Sequence, residues 1–168
     1  MAFTPEDGTG VEDANAYVTV EDADTYMSER ARAAWASLSE PQKQAAIIEA
    51  TIFLDSTFQW RGEIKSTSQG LAFPRVDCVD RDGRYYDDQV PKQVKAACCE
   101  LAWLARSGAL IASETEAAIK RVEAGPVKVE FLNGNKVADA DKFAWVNRLV
   151  GPLIKGGAGG SNVSLMKA

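Results

Sequence analysis

The chain has 168 residues, is 46% hydrophobic and 26% charged, and carries a formal net charge of −5 with no histidine. That composition fits one globular domain, long enough to bury a core without disulfide staples. It excludes histidine triads and most zinc sites, and the acidic balance excludes wrapping duplex DNA through an overall excess of cations.

The opening "MAFTPEDGTGVEDA" has neither a basic start nor an apolar run, so no signal peptide is expected. No stretch reaches the ~18–20 apolar residues that cross a bilayer. Residues 1–19, rich in Gly, Asp and Asn, read as a flexible N-terminal arm. "VEDANAYVT" is echoed at once by "VEDADTYMS", but two copies are too few for a solenoid. The second copy opens a helix, with Thr19 as cap and Glu21 and Asp22 at the positive end of its dipole. Ala23, Tyr26, Met27, Arg30, Ala31, Ala34 and Trp35 follow at helical spacing, predicting one continuous helix to about residue 35.

"SEPQ", Ser39 to Gln42, is a capping box with Pro41 in the first turn. Behind it Ile47, Ile48, Thr51, Ile52, Leu54 and Phe58 make a wide apolar face. Residues 59–90 form a long irregular excursion. A third helix starts at Pro91, carries Val94, Ala97, Cys98, Leu101, Leu104 and Ala105 on one face, and ends near Gly108. Residues 117–133 read as a small β element. In it Val127, Val129 and Phe131 alternate with charges, Gly125–Pro126 and Asn133–Gly134 break the chain, and Ile119 to Glu123 offers a partner strand. A last helix spans about 140–154, and "GGAGG" at 156–160 begins a flexible tail over 155–168. The expected fold is mainly α: a four-helix bundle-like subunit in residues 20–154 with a small β-hairpin element, a long central loop, and flexible N- and C-terminal arms.

Chemistry finds little purchase in these residues. Cys78, Cys98 and Cys99 lack metal spacing; neighbours on a helix point about 100° apart, so Cys98 and Cys99 read as buried thiols. "CVDRDGRYYDDQ" places Asp80, Asp82 and Gly83 as a calcium loop would, but Cys78 and Gln89 stand where the first and last carboxylate ligands belong. Asp82–Gly83 is better read as a hairpin turn flanked by Val79 and Tyr85. The glycine tract lacks the Lys-Ser/Thr of a phosphate loop. No catalytic, cofactor-binding or metal residues are assigned, and no enzyme activity is expected.

The excursion needs another explanation. Trp60, Leu71, Phe73, Val76, Tyr85 and Tyr86 are costly to leave in water at about 25 cal/mol per Å². One explanation is a second copy of the chain; the alternative is folding back on its own helices. Cations and aromatics also interleave here, as in single-strand binders, although Asp77, Asp80, Asp82, Asp87 and Asp88 offset the charge.

"VEDANAYVTVEDADTYMSERARAAW", "ATIFLDSTFQWRG", "QGLAFPR", "VPKQVKAACCELAWLA" and "GPVKVEF" follow one another in an order that resembles tailed-phage head-to-tail adaptor (head completion, connector) proteins, over roughly residues 11–154. Related sequences also carry the label of DnaT-like single-stranded-DNA-binding proteins. The adaptor resemblance implies a structural protein of the virion neck, made in the host cytoplasm. It would form a dodecameric ring on the portal protein, join it to tail or neck proteins, and let viral DNA pass without specific binding. It involves no cofactor and no membrane. On that reading Trp60, Arg61, Leu71, Phe73, Pro74, Arg75, Tyr85 and Tyr86 form the subunit interface, with Arg75 reaching a carboxylate across the joint. The tail residues Val163, Ser164, Leu165 and Met166 would meet the portal. The alternative implied function is a single-stranded-DNA-binding replication accessory.

Overall fold

A computed structural model describes residues 2–108, 110, 123–124, 127–128 and 143–155. Val163, Ser164, Leu165 and Met166, the glycine tract before them, and most of the expected β element lie outside these residues.

The centre of the molecule is the pair α3 (Glu40–Thr57) and α4 (Lys92–Ala105). The capping box forms as the sequence implies, with the Ser39 amide donating to Gln42 Oε1 at 2.9 Å. Ala46, Ile47, Ala50, Phe53 and Leu54 of α3 are buried, as are Val94, Ala97, Cys98 and Leu101 of α4. One polar side chain lies between the helices: Thr51 Oγ1 donates to the Ile47 carbonyl and accepts the Tyr17 amide, which leaves it satisfied. Ile52, counted from its spacing as part of the apolar face, is instead 56% exposed. A further helix, α5 (residues 143–150), continues into a 3-10 turn at Gly151–Leu153 and buries Val146, Val150 and Leu153, with Phe143 stacked on Phe53.

Two expectations are corrected near the N-terminus. Residues 2–19 do not form a free arm. The buried Glu6 carboxylate accepts the amides of Gly8, Gly10 and Val11 at 2.8–2.9 Å, and Ala16, Tyr17 and Val18 enter the core. Apolar Ala14 to Val18 supplies the burial that holds the polar turns before it in place. The predicted helix to residue 35 also divides, into α1 (Val20–Ser28) and α2 (Ala33–Ala36). Arg32 N–H bonds to the Met27 carbonyl and Ala31 N–H to that of Ser28, the paired closure that ends helices, with Ala31 at φ 53° where glycine is usual. The buried Trp35 indole then donates to Asp24 Oδ1 at 2.7 Å, fastening α2 back onto α1.

The central segment packs on the core as a strap. Two short strands, β1 (Glu63–Ile64) and β2 (Arg75–Val76), pair antiparallel. The Asp82–Gly83 turn brings Val79 opposite Tyr85, as its sequence implies. At its start the strap is clipped to the end of the chain's helical part by Arg61 N–H to the Leu153 carbonyl and Lys155 N–H to that of Gln59. Beyond α4, β3 (Glu123–Ala124) pairs antiparallel with β4 (Val127–Lys128).

Gly62 sits where the backbone of the strap passes close against residues 76–78. Its φ is +70°, and a Cβ there would lie 2.3 Å from the Val76 carbonyl oxygen. Gly62→Ala combines backbone strain with that collision and should cost about 2 kcal/mol or more. A lowered midpoint in urea denaturation checks it; an unchanged midpoint would mean that the β1–β2 pairing is not part of the stable fold.

Candidate nucleic-acid interface

At 100° per residue, Lys92, Lys95, Cys99, Trp103 and Arg106 fall within about 80° of one another around α4, opposite the buried Val94, Ala97, Cys98 and Leu101. From Lys92 to Arg106 this stripe runs about 21 Å along the helix. Lys92 and Arg106 are exposed at its two ends. Lys92 also stands in the first turn, where the free amides of the helix favour an anion.

The end of α1 and the turn after it complete the surface from the side. Arg30 places its guanidinium 3.5 Å from the centroid of the Tyr26 ring, and Arg32 places its own 5.0 Å from that of Trp103. Arg106 covers the same Trp103 at 3.7 Å. Such pairs contribute about 0.5–1 kcal/mol at exposed sites, enough to hold long side chains near a ring without making them immovable. Between α1 and α4 lies an open groove of about 370 Å³, lined by the cations Arg30, Lys92 and Lys95, by Tyr26, Val18, Ala96 and Cys99, and by the carboxylates of Asp22 and Glu29.

Glu100 joins the two helices. Its Oε1 accepts the Tyr26 hydroxyl at 2.7 Å, and its Oε2 lies 2.7 Å from Arg32 Nη2; Arg30 Nε is 3.6 Å from Oε1. Burial first, then this bond to Glu100, pushes the Tyr26 phenol well above its ordinary range, so it remains a donor at all physiological pH. The Cys99 thiol at the groove is also pushed well up by burial, and that of Cys98 up to about 12. Neither forms the thiolate that nucleophilic chemistry needs. Among the described residues, no carboxylate lies within ion-pair distance of Lys92, Lys95 or Arg106. On a chain that is acidic overall, one side of α4 therefore offers phosphate-seeking cations and a half-buried indole, with the buried Cys99 between them and Tyr26 alongside.

The residues singled out from the sequence lie elsewhere, and most face inward. Phe73 is fully buried, edge-on to Tyr17 and Trp60; Trp60 is 4% exposed, and Pro74 is buried. Arg75 is buried too. Its guanidinium donates to the carbonyls of Arg61 at 2.7 Å, Gly62 at 2.8 Å and Ala72 at 3.0 Å, so it does not extend toward another subunit. Arg61 Nε donates to the Ile154 carbonyl, Leu71 packs against the core, and the Tyr86 hydroxyl lies between Asp80 and Gln93. Of that set only Tyr85, 67% exposed, leaves its ring in solvent. Within the single chain the apolar strap is buried against its own helices, the alternative to an outward anchor that the sequence left open.

The calcium-like loop is likewise closed. Asp80 accepts the amides of Asp82 and Arg84, the Arg84 guanidinium and the Tyr86 hydroxyl, and the backbone bond from Arg84 leads in holding its pKa below the usual range. Among the described residues no group of three or more Cys, Asp or Glu side chains is arranged to hold a metal ion. Nor, among them, is any helix long and apolar enough to cross a membrane.

A family model described as "Putative DnaT-like ssDNA binding protein" matches residues 1–168. No curated protein and no solved structure matches the chain.

Proposed function

This chain belongs to the family so described, and from that premise we propose that it is a non-enzymatic protein that binds single-stranded DNA along the α1–α4 strip. The observation that carries the proposal is the convergence of Lys92, Lys95 and Arg106 with Trp103 and Tyr26 on one face. Cations spaced along a helix follow a phosphate backbone, while aromatic rings accept any base through its π-face, so recognition is tolerant of sequence. Three cations with no carboxylate partner among the described residues make for modest affinity. The logarithm of the binding constant should fall against the logarithm of salt concentration with a slope of about −2, from ~0.7 counterions released per phosphate neutralised on a single strand.

Fluorescence anisotropy with a labelled oligothymidylate tests this. Binding at low salt with that slope, abolished by the double substitution Lys92→Glu and Lys95→Glu, is the expected result. Binding that ignores both substitutions would place the DNA elsewhere; no binding at low salt would end the reading.

A second reading, a head-to-tail adaptor ring, draws on the acidic balance, which repels DNA from a channel wall, and on the exposed Ile52, Ile64, Tyr85 and Trp145. Large apolar side chains left in solvent suit contacts between copies, or with portal and tail proteins. Light scattering on the purified chain separates the two readings. A closed oligomer without affinity for the oligonucleotide favours the ring, and a monomer that binds DNA favours the strip.

A further inference from the structure

The place on this strip best formed to receive a phosphate is already filled. The Tyr26 hydroxyl and the Arg32 guanidinium donate to one carboxylate, that of Glu100, and Arg30 Nε lies 3.6 Å from it, all from a helix and turn 68 to 74 residues earlier in the chain. Two converging donors with a second guanidinium within ion-pair distance are what an anionic oxygen cluster requires. Glu100 supplies it from within, and its side chain is only 12% exposed. Resting on the proposal that DNA lies along this strip, we infer that Glu100 is a resident stand-in for a backbone phosphate. It occupies the Arg30–Arg32–Tyr26 site in the free protein and must be displaced before a strand can use those arginines.

Two physical consequences follow. Arg30 and Arg32 add little to affinity in the native chain, because each phosphate contact replaces a contact of the same kind. The carboxylate also holds both side chains and the Tyr26 hydroxyl in place, so the site is shaped before any ligand arrives. Glu100 thereby sets the affinity: it keeps binding weak and reversible without altering the cations themselves.

Glu100→Gln keeps the length of the side chain and an oxygen for the Tyr26 hydroxyl, and removes only the charge. The full-length variant should bind labelled oligothymidylate roughly ten-fold more tightly at low salt, with a salt slope steeper by about 0.7–1.4 as one or two further phosphates are engaged. Glu29→Gln is the control. Glu29 lines the same groove and lies 3.8 Å from Arg30, but it is exposed and does not touch Tyr26 or Arg32. It should gain several-fold less than Glu100→Gln.

Equal gains in the two variants would reduce Glu100 to a general field effect and overturn the inference. So would tighter binding with an unchanged slope, or a lower melting temperature with no gain in affinity, which would make Glu100 a strut between helices. Those failures leave the strip itself standing, provided that the native chain binds and Lys92→Glu with Lys95→Glu abolishes it. If neither the native chain nor Glu100→Gln binds at low salt, both proposals fall together.

Discussion

Arg75→Glu is expected to unfold the central strap and to lower the melting temperature of the whole protein by roughly 10 °C, from a loss of about 3–5 kcal/mol at about 2–4 °C per kcal/mol. The buried guanidinium meets the carbonyls of Arg61, Gly62 and Ala72 at once. Removing it strands three acceptors, and glutamate adds a buried charge with no donor. Arg75→Lys should fall between, since an ammonium keeps the charge but not the planar fork. Calorimetry or circular dichroism on heating measures both. Native stability in the glutamate variant would mean that the side chain has an outward role after all, as the adaptor resemblance implied.

Trp103→Ala should weaken binding to single-stranded DNA by roughly 5- to 150-fold, the range for about 1–3 kcal/mol per stacked base. The indole is half-buried, with Arg106 over it at 3.7 Å and Arg32 at 5.0 Å. A base can displace the Arg106 guanidinium or stack together with it. Trp145→Ala is the matched control, because Trp145 on α5 is 54% exposed and is not among the residues of the strip. It should leave affinity unchanged. Equal losses from both substitutions, or none from Trp103→Ala, would remove stacking at this position as a source of affinity. Heat denaturation of each variant separates lost contact with DNA from lost stability.

The cation–aromatic strip lies on α4, away from the segment that is most unusual in the sequence. Residues 59–90 stand out because aromatic rings and arginines crowd an irregular stretch, and their composition says rightly that they must be buried. Composition does not say against what. Tyr17, Asp55 and Trp60 provide the answer. The Tyr17 hydroxyl donates to Asp55 Oδ1 and accepts the Phe73 amide, Asp55 Oδ2 accepts the Ala72 amide, and Trp60 meets Phe73 edge-on. Burial leads in raising the Asp55 pKa, while the Tyr17 and Ala72 bonds work against it, so this lock is itself a compromise between desolvation and hydrogen bonding. None of its members is a sequence neighbour of Phe73 except Ala72.

The strip on α4 had a signal that could have been read. Lys92, Lys95, Trp103 and Arg106 repeat with the same period as the apolar face, on the opposite side of the helix. A run of cations on the outer face of a helix is ordinarily a solvated surface, and attention to the apolar residues passes over it. What no local pattern holds is the partner: Tyr26, Arg30 and Arg32 approach that face only because α1 ends early, at an alanine with positive φ where the sequence has no glycine to announce a stop.

Amino-acid order alone determined where α3, α4 and α5 lie, the capping box before α3, the turn at Asp82–Gly83 and the lack of histidine chemistry. Each depends on residues within one or two turns of one another, where spacing and side-chain type suffice. Tertiary structure alone decided that the N-terminal segment joins the core, that the strap turns inward, and that a cation–aromatic strip forms around Glu100. Those outcomes rest on contacts between residues tens of positions apart, and their energies come from which surfaces shield one another from water.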